Sequence, residues 1–149
     1  MLRVIDPYFH LEDLTIIKKL FDLNANLDVT ILTNMDKQDA SIEDYQMAWN
    51  QISSDMPGKL KIILLHYADK KTSCPIHDRW WILFDPEDGT RAGINMPSIS
   101  TLGVRDAVIS EIDTSKISAI EELWYKYVND RIRKMPDGRR LSYEEVDIR

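Results

Sequence analysis

Two hydrophobic periods alternate along the chain. Runs rich in β-branched and aromatic residues stand near residues 2–6, 27–33, 60–66, 79–84 and 107–112, and such runs predict strands. Between the first three lie two amphipathic stretches. Residues 11–23 put Leu14, Ile17, Leu20 and Phe21 on one face, with Glu12 and Asp13 in the first turn and lysines following, which suits the helix dipole. In the second stretch, Ile42, Tyr45, Trp49, Ile52 and Met56 recur every three or four residues. Ser41 can cap this helix and Pro57-Gly58 ends it, so Trp49 and Ile52 are expected in the core. The unbroken run Ile62–Leu65 suggests a strand covered on both faces. Asp85-Pro-Glu-Asp-Gly89 reads as a turn, with Thr90–Ile94 returning as a hairpin. Ser118 and Glu121 form a capping-box pair for a last helix whose apolar face is Ile120, Leu123, Trp124, Tyr127 and Val128. Pro136-Asp-Gly138 ends it, and Arg139–Arg149 reads as a charged tail.

The order β-α-β-α-β-β-β-β-α predicts an α/β fold: a mixed β-sheet flanked by helices on both faces, with the early strands parallel. Residues 1–113 form the core. Residues 114–149 are the helix and tail, part of the same domain or its extension. The length of 149 residues suits one domain, and 44% hydrophobic with 30% charged residues excludes a largely disordered chain. A net charge of −6 argues against broad coating of nucleic acid. Cys74 is the lone cysteine, so neither an internal disulfide nor a cysteine-rich metal site can form, which fits a reducing, cytoplasmic compartment. No apolar run reaches membrane-span length, so no membrane partner is expected. The opening Met1–Asp6 lacks a signal peptide and starts inside a strand, which reads as a piece of a longer protein.

Candidate chemistry gathers in Cys74-Pro-Ile-His77-Asp78-Arg79. His77 and Arg79 are two residues apart, so on an extended strand they share a face. A histidine beside a fixed cation suits holding a phosphate. The plainer alternative is a surface histidine with Arg79 paired to Asp78. Gly93 permits close approach of a ligand, and Asn95, Ser98 and Ser100 can donate to an anion; an ordinary loop is again the plainer alternative. His10 and His66 read as structural or surface residues, and one of Trp80 and Trp81 as core. Nothing near Cys74 points to a lowered thiol pKa. Residues of recognised metal-ligand spacing are lacking, so neither metal nor organic cofactor is expected.

Val4-Ile-Asp-Pro-Tyr-Phe9 followed by a helix and Val29-Thr-Ile-Leu-Thr33, then His77-Asp78-Arg79 with an apolar strand, Gly93-x-Asn95 and Leu102-Gly103-x-x-Asp106, resembles phospholipase D-like domains from about Leu2 to Asp113. That resemblance implies His77 as a phosphoryl-accepting nucleophile, with Gly93 and Asn95 at the downstream glycine and polar positions. Arg79 stands where the family has Lys. The family's acidic position falls on Phe84, with Asp85 one residue later; a strand bulge would restore it. Two such motifs meet in the family's active sites, which implies a homodimer for a phosphodiesterase or nuclease. The lone motif, the Arg79 replacement and the displaced Asp85 favour the other reading: a non-catalytic module binding a protein partner or a phosphate-containing ligand within a larger chain or complex.

Overall fold

The computed structural model describes residues 1–34, 40–89, 91–97 and 108–149. Among these, seven strands form one mixed sheet: β1 (Leu2–Ile5), β2 (Asp28–Thr33), β3 (Lys59–Tyr67), β4 (Trp80–Phe84), β5 (Arg91–Asn95), β6 (Ser110–Glu111) and β7 (Leu141–Ile148). Their spatial order is β6-β5-β4-β1-β2-β3-β7. Strands β1, β2 and β3 are parallel. The others join antiparallel, β4 on β1, β5 on β4 and β7 on β3. The helices are α1 (Leu14–Leu23), entered through a 3-10 turn at Leu11–Asp13, α2 (Ile42–Ile52) and α3 (Thr114–Trp124), which continues as a π-helical turn at Tyr125–Asn129. No helix among the described residues is long and apolar enough to cross a membrane.

The sheet is covered on both faces because its central strands are apolar on both. Val4, Val29, Ile31, Ile62 and Leu64 pack with Leu14, Ile17 and Phe21 of α1 and Tyr45 and Trp49 of α2. On the other face Ile5, Leu32, Ile63, Leu65 and Ile82 pack with Ile117, Ile120 and Trp124 of α3. Arg3 lies on this second face. Its guanidinium sits between the rings of Phe84 (5.3 Å) and Trp124 (5.5 Å) and pairs with Glu121 at 3.4 Å, while Arg91 reaches the same carboxylate at 2.6 Å. Glu121 thereby ties α3 to β1 and β5.

Four expectations need correction. Arg139–Arg149 is not a tail: β7 pairs with β3 from Leu60↔Ile148 to Tyr67↔Leu141, making the C-terminal segment part of the same sheet. Its carboxylates read as solvated, yet Asp147 faces Lys61 (3.5 Å), Glu144 faces Lys71 (3.7 Å) and Glu145 pairs with Arg131, while Leu141 and Ile148 are buried. The cap of α3 is Asp113, whose side chain accepts from the Lys116 N–H at 2.9 Å; Ser118 lies inside the helix, its hydroxyl donating to the Thr114 carbonyl. Ile52 is exposed rather than core, because α2 ends there with an extended Ser53 and the apolar stripe does not continue. Trp49 is buried, as expected. The strand expected over 107–112 is limited to Ser110–Glu111, with residue 107 outside the described residues.

Candidate functional site

The parallel strands β1, β2 and β3 all end at one end of the sheet. Because β4 runs antiparallel to β1, with Ile5 opposite Trp80, the chain enters β4 at that same end. Open α/β sheets place ligands there, where the loops diverge beyond the carboxyl ends of the strands. Polar residues directly follow the first two strands: Asp6 after β1 and Asn34 after β2.

Asp6 organises the junction. Its backbone N–H donates to the Leu32 carbonyl (3.0 Å), extending the ladder by one residue. Its carboxylate Oδ1 accepts from the Tyr8 N–H at 2.9 Å and from Arg79 Nε at 3.1 Å. The Arg79 guanidinium lies 4.7 Å from the Tyr8 ring centroid, a cation–π contact. Arg79 is thus held through Nε and one face, while its two Nη groups make no hydrogen bond among the described residues. The alternative that paired Arg79 with Asp78 gives way to this buried partner. Nearby, Asp13 accepts from the His10 N–H at 2.8 Å, and the Tyr45 hydroxyl donates to the Phe9 carbonyl at 3.0 Å. Burial pushes the Asp6 and Asp13 carboxyls above their ordinary range; for Asp6 the Tyr8 N–H and the Arg79 charge oppose this without cancelling it. Burial likewise raises the Tyr45 phenol.

Beside this cluster opens a cavity of about 230 Å³. Tyr8, Asn34, Thr72, Ser73, Cys74 and His77 line it, with Pro7 and Ile76 adding apolar surface. Asn34 donates its amide to the Leu65 carbonyl at 2.7 Å, and its buried Oδ1 has no hydrogen-bond partner among the described residues. The Cys74 thiol is buried and donates to the Ile76 carbonyl at 3.3 Å. His77 is exposed. His66 is buried on β3, its Nδ1 at 2.9 Å from the Tyr67 carbonyl oxygen and its Nε2 at 3.6 Å from the Glu144 carboxylate. Among the described residues no group of three or more His, Cys, Asp or Glu could hold a metal ion.

The residues singled out from the sequence divide. His77, Arg79 and Asn95 share one end of the sheet, since Asn95 pairs with Trp80. Asp85 does not join them. It follows β4 at the opposite end, six residues from Arg79, or roughly 20 Å along a strand. The β4 ladder is regular on both sides from Trp80 to Phe84, so no bulge brings Asp85 back. Its side chain accepts from the Glu87 N–H at 2.9 Å and its carbonyl from the Gly89 N–H at 3.0 Å, both inside the hairpin turn. Gly93 is a packing glycine: an added Cβ would meet Ile117 Cγ1 at 3.3 Å and Ile112 Cδ1 at 3.4 Å. Ser98 and Ser100 lie outside the described residues. Sequence reasoning passed over Asp6, Tyr8 and Asn34, although a polar residue placed directly after a β-rich run was the available signal. No protein-family model, curated protein or solved structure matches the chain.

Proposed function

We propose that this chain is a phospholipase D-like binding module, without catalysis of its own, that holds a phosphate-bearing ligand against Arg79 and His77. The carrying observation is the mounting of Arg79. Asp6 and Tyr8 fix its guanidinium while leaving the Nη side unspent, and a preoriented guanidinium is the side-chain cation best shaped for two phosphate oxygens. His77, two residues earlier in the chain, lines the neighbouring cavity together with Tyr8. Separation of Asp85 from this end favours binding over turnover, because the acidic residue that the resemblance implies for the site is held at the other end of β4. The domain then works as part of a larger chain or complex that supplies the phosphate.

Titration with methyl phosphate, followed by calorimetry and by amide NMR, tests this. Saturable shifts are expected around Tyr8, His77 and Arg79. Arg79→Lys should weaken binding about 10-fold, since it removes the planar fork while keeping the charge. Hydrolysis of bis-(p-nitrophenyl) phosphate should stay at background at all protein concentrations. Turnover that rises with dimerisation and disappears in His77→Ala would replace the module with a phosphodiesterase.

A further inference from the structure

Cations concentrate just ahead of β7. Arg131, Arg133, Lys134, Arg139 and Arg140 stand against a single acid, Asp137, in a chain whose net charge is −6. The segment is a short hairpin. Pro136-Asp137-Gly138 turns it, with Gly138 in the left-handed region at φ 91° and its N–H donating to the Met135 carbonyl at 2.9 Å. The arms pair antiparallel, Lys134 opposite Arg140. The Met135 N–H donates to the Arg139 carbonyl at 2.8 Å and the Leu141 N–H to the Arg133 carbonyl at 2.9 Å. The Ala68 N–H donates to the Arg140 carbonyl at 2.9 Å, which fastens the hairpin to the end of β3.

The cations of this hairpin are held in place. The Arg133 guanidinium lies 5.2 Å from the Tyr143 ring centroid and that of Arg139 lies 4.1 Å from the Tyr67 ring. Such contacts orient a guanidinium without neutralising it. Asp137 accepts from Arg139 Nε at 2.7 Å and takes up that charge. Arg133, Lys134 and Arg140 are exposed. Directly opposed residues of an antiparallel pair share a face, with Cβ atoms roughly 5 Å apart, and like charges so placed repel. An anion between Lys134 and Arg140 turns that repulsion into attraction.

The surroundings select the anion. Asp130 precedes the hairpin, and Glu144, Glu145 and Asp147 follow it along β7. A nucleic-acid strand long enough to gain from counterion release would run over these carboxylates. A short run of carboxylates stays within the hairpin. We propose that the hairpin is a docking surface for an Asp- or Glu-rich protein segment, with a carboxylate of that segment held between Lys134 and Arg140 and Arg133 adding to the attraction. The surface is separate from Arg79 and does not rest on phosphate binding there; it supplies the contact by which the domain joins a larger complex.

A short polyglutamate peptide is the probe, followed by amide NMR, with a single-stranded oligothymidylate of equal charge as the comparison. Polyglutamate should give saturable shifts over Arg133–Leu141 at about 0.1 M salt, fading toward ~1 M as the Debye length falls from about 10 Å to about 3 Å. Lys134→Glu with Arg140→Glu should weaken binding about 10-fold. Lys19→Glu with Lys116→Glu makes the same charge change on α1 and α3 and should leave affinity within about 2-fold. Should the double reversal disturb the hairpin, Lys134→Gln with Arg140→Gln decides. It removes the repulsion inside the pair, so stability should hold while affinity falls about 5-fold. Equal weakening by the α1 and α3 changes would reduce the attraction to net charge and overturn the proposal. Tighter binding of oligothymidylate than of polyglutamate would assign the hairpin to nucleic acid instead. Absence of saturable shifts in the hairpin removes the docking surface, whatever methyl phosphate does at Arg79.

Discussion

At the end of the sheet where β1, β2 and β3 finish, polar side chains are buried: Asp6 is 1% exposed, His66 3% and Asn34 5%. At the opposite end, the Asp85–Gly89 turn stands in water and is closed locally by the Glu87 and Gly89 N–H groups donating to Asp85. The contrast runs along single helices. Toward the first end of α2, Tyr45 is tethered by its hydroxyl to the Phe9 carbonyl. One turn later, Trp49 meets Phe21 edge to face, with ring centroids 5.9 Å apart. Packing dominates toward one end, where the Trp49 indole N–H also donates to the Asp55 carbonyl at 3.2 Å, and hydrogen bonds to buried groups dominate toward the other. Burying charge and amide against their hydration preference is costly, and residues kept in that state at a strand end are candidates for ligand work.

The largest effect should come from the apolar end. Trp49→Ala removes a fully buried indole and should cost about 3–5 kcal/mol, read from the urea midpoint. Tyr45→Phe keeps the ring and loses one hydrogen bond, so about 1 kcal/mol is expected. Equal losses for the two would break the division between packed and hydrogen-bonded ends.

At the polar end, Asp6→Ala leaves the Tyr8 N–H and the Arg79 guanidinium without their acceptor. Because Arg79 is partly in water, the loss should be about 2–3 kcal/mol, below that of a fully buried pair. The raised carboxyls of Asp6 and Asp13 also predict a pH dependence. A group that holds its proton more tightly when folded contributes stability below its unfolded value, here the ordinary 3.8. That contribution is lost as pH rises through the higher folded values. Asp6→Asn removes one of the two contributions. Its urea midpoint should fall less than that of the wild type between pH 3.5 and pH 7, and identical slopes would show that Asp6 is not the group responsible.

Legibility from the sequence followed burial. Where strands are apolar on both faces, as in Ile62–Leu65, or helices carry a continuous stripe, as in α1, the pattern alone located the element. It failed for β7, an edge strand whose Glu144, Glu145 and Asp147 resemble a solvated tail until their partners Lys71 and Arg131 in loops and Lys61 on β3 are known. Those partners are remote in sequence or sit in another strand, so no local window contains them. The candidate site was half legible. His77 and Arg79 stood out because they are neighbours in the chain. Asp6 and Asn34 reach them only through the parallel pairing of β1 with β2 and the antiparallel pairing of β1 with β4, which periodicity does not specify.

Gly93 offers a smaller test of what belongs to the site. In the resemblance it is part of the phosphate pocket, but in the fold it lets β5 approach Ile117 on α3 and Ile112. Gly93→Ala forces a contact of 3.3 Å on Ile117. Overpacking of this kind should cost about 1 kcal/mol once the gain from replacing a strand glycine is set against it. Phosphate affinity should not change, and a several-fold loss of binding with unaltered stability would return Gly93 to the ligand site.

The smallest effect is expected at Asp85, and there the comparison of the two ends is most exposed. The family resemblance assigns an acidic catalytic role close to this residue, whereas its side chain here closes a turn by accepting from the Glu87 N–H. Asp85→Asn retains an oxygen acceptor at that position, so stability should stay within about 0.5 kcal/mol of wild type, as for most surface substitutions. Methyl phosphate affinity should be unchanged, because roughly six strand residues, on the order of 20 Å, separate Asp85 from Arg79. Asp85→Ala gives up the acceptor and should lower the urea midpoint slightly, again without altering binding. A marked fall in affinity for Asp85→Asn in a fully folded protein would mean that Asp85 meets the phosphate site by a route a single chain does not provide. An Asp85 carried by a second copy against the first copy's Arg79 is such a route, and sedimentation of the phosphate-bound protein would then have to reveal a dimer that Asp85→Asn weakens.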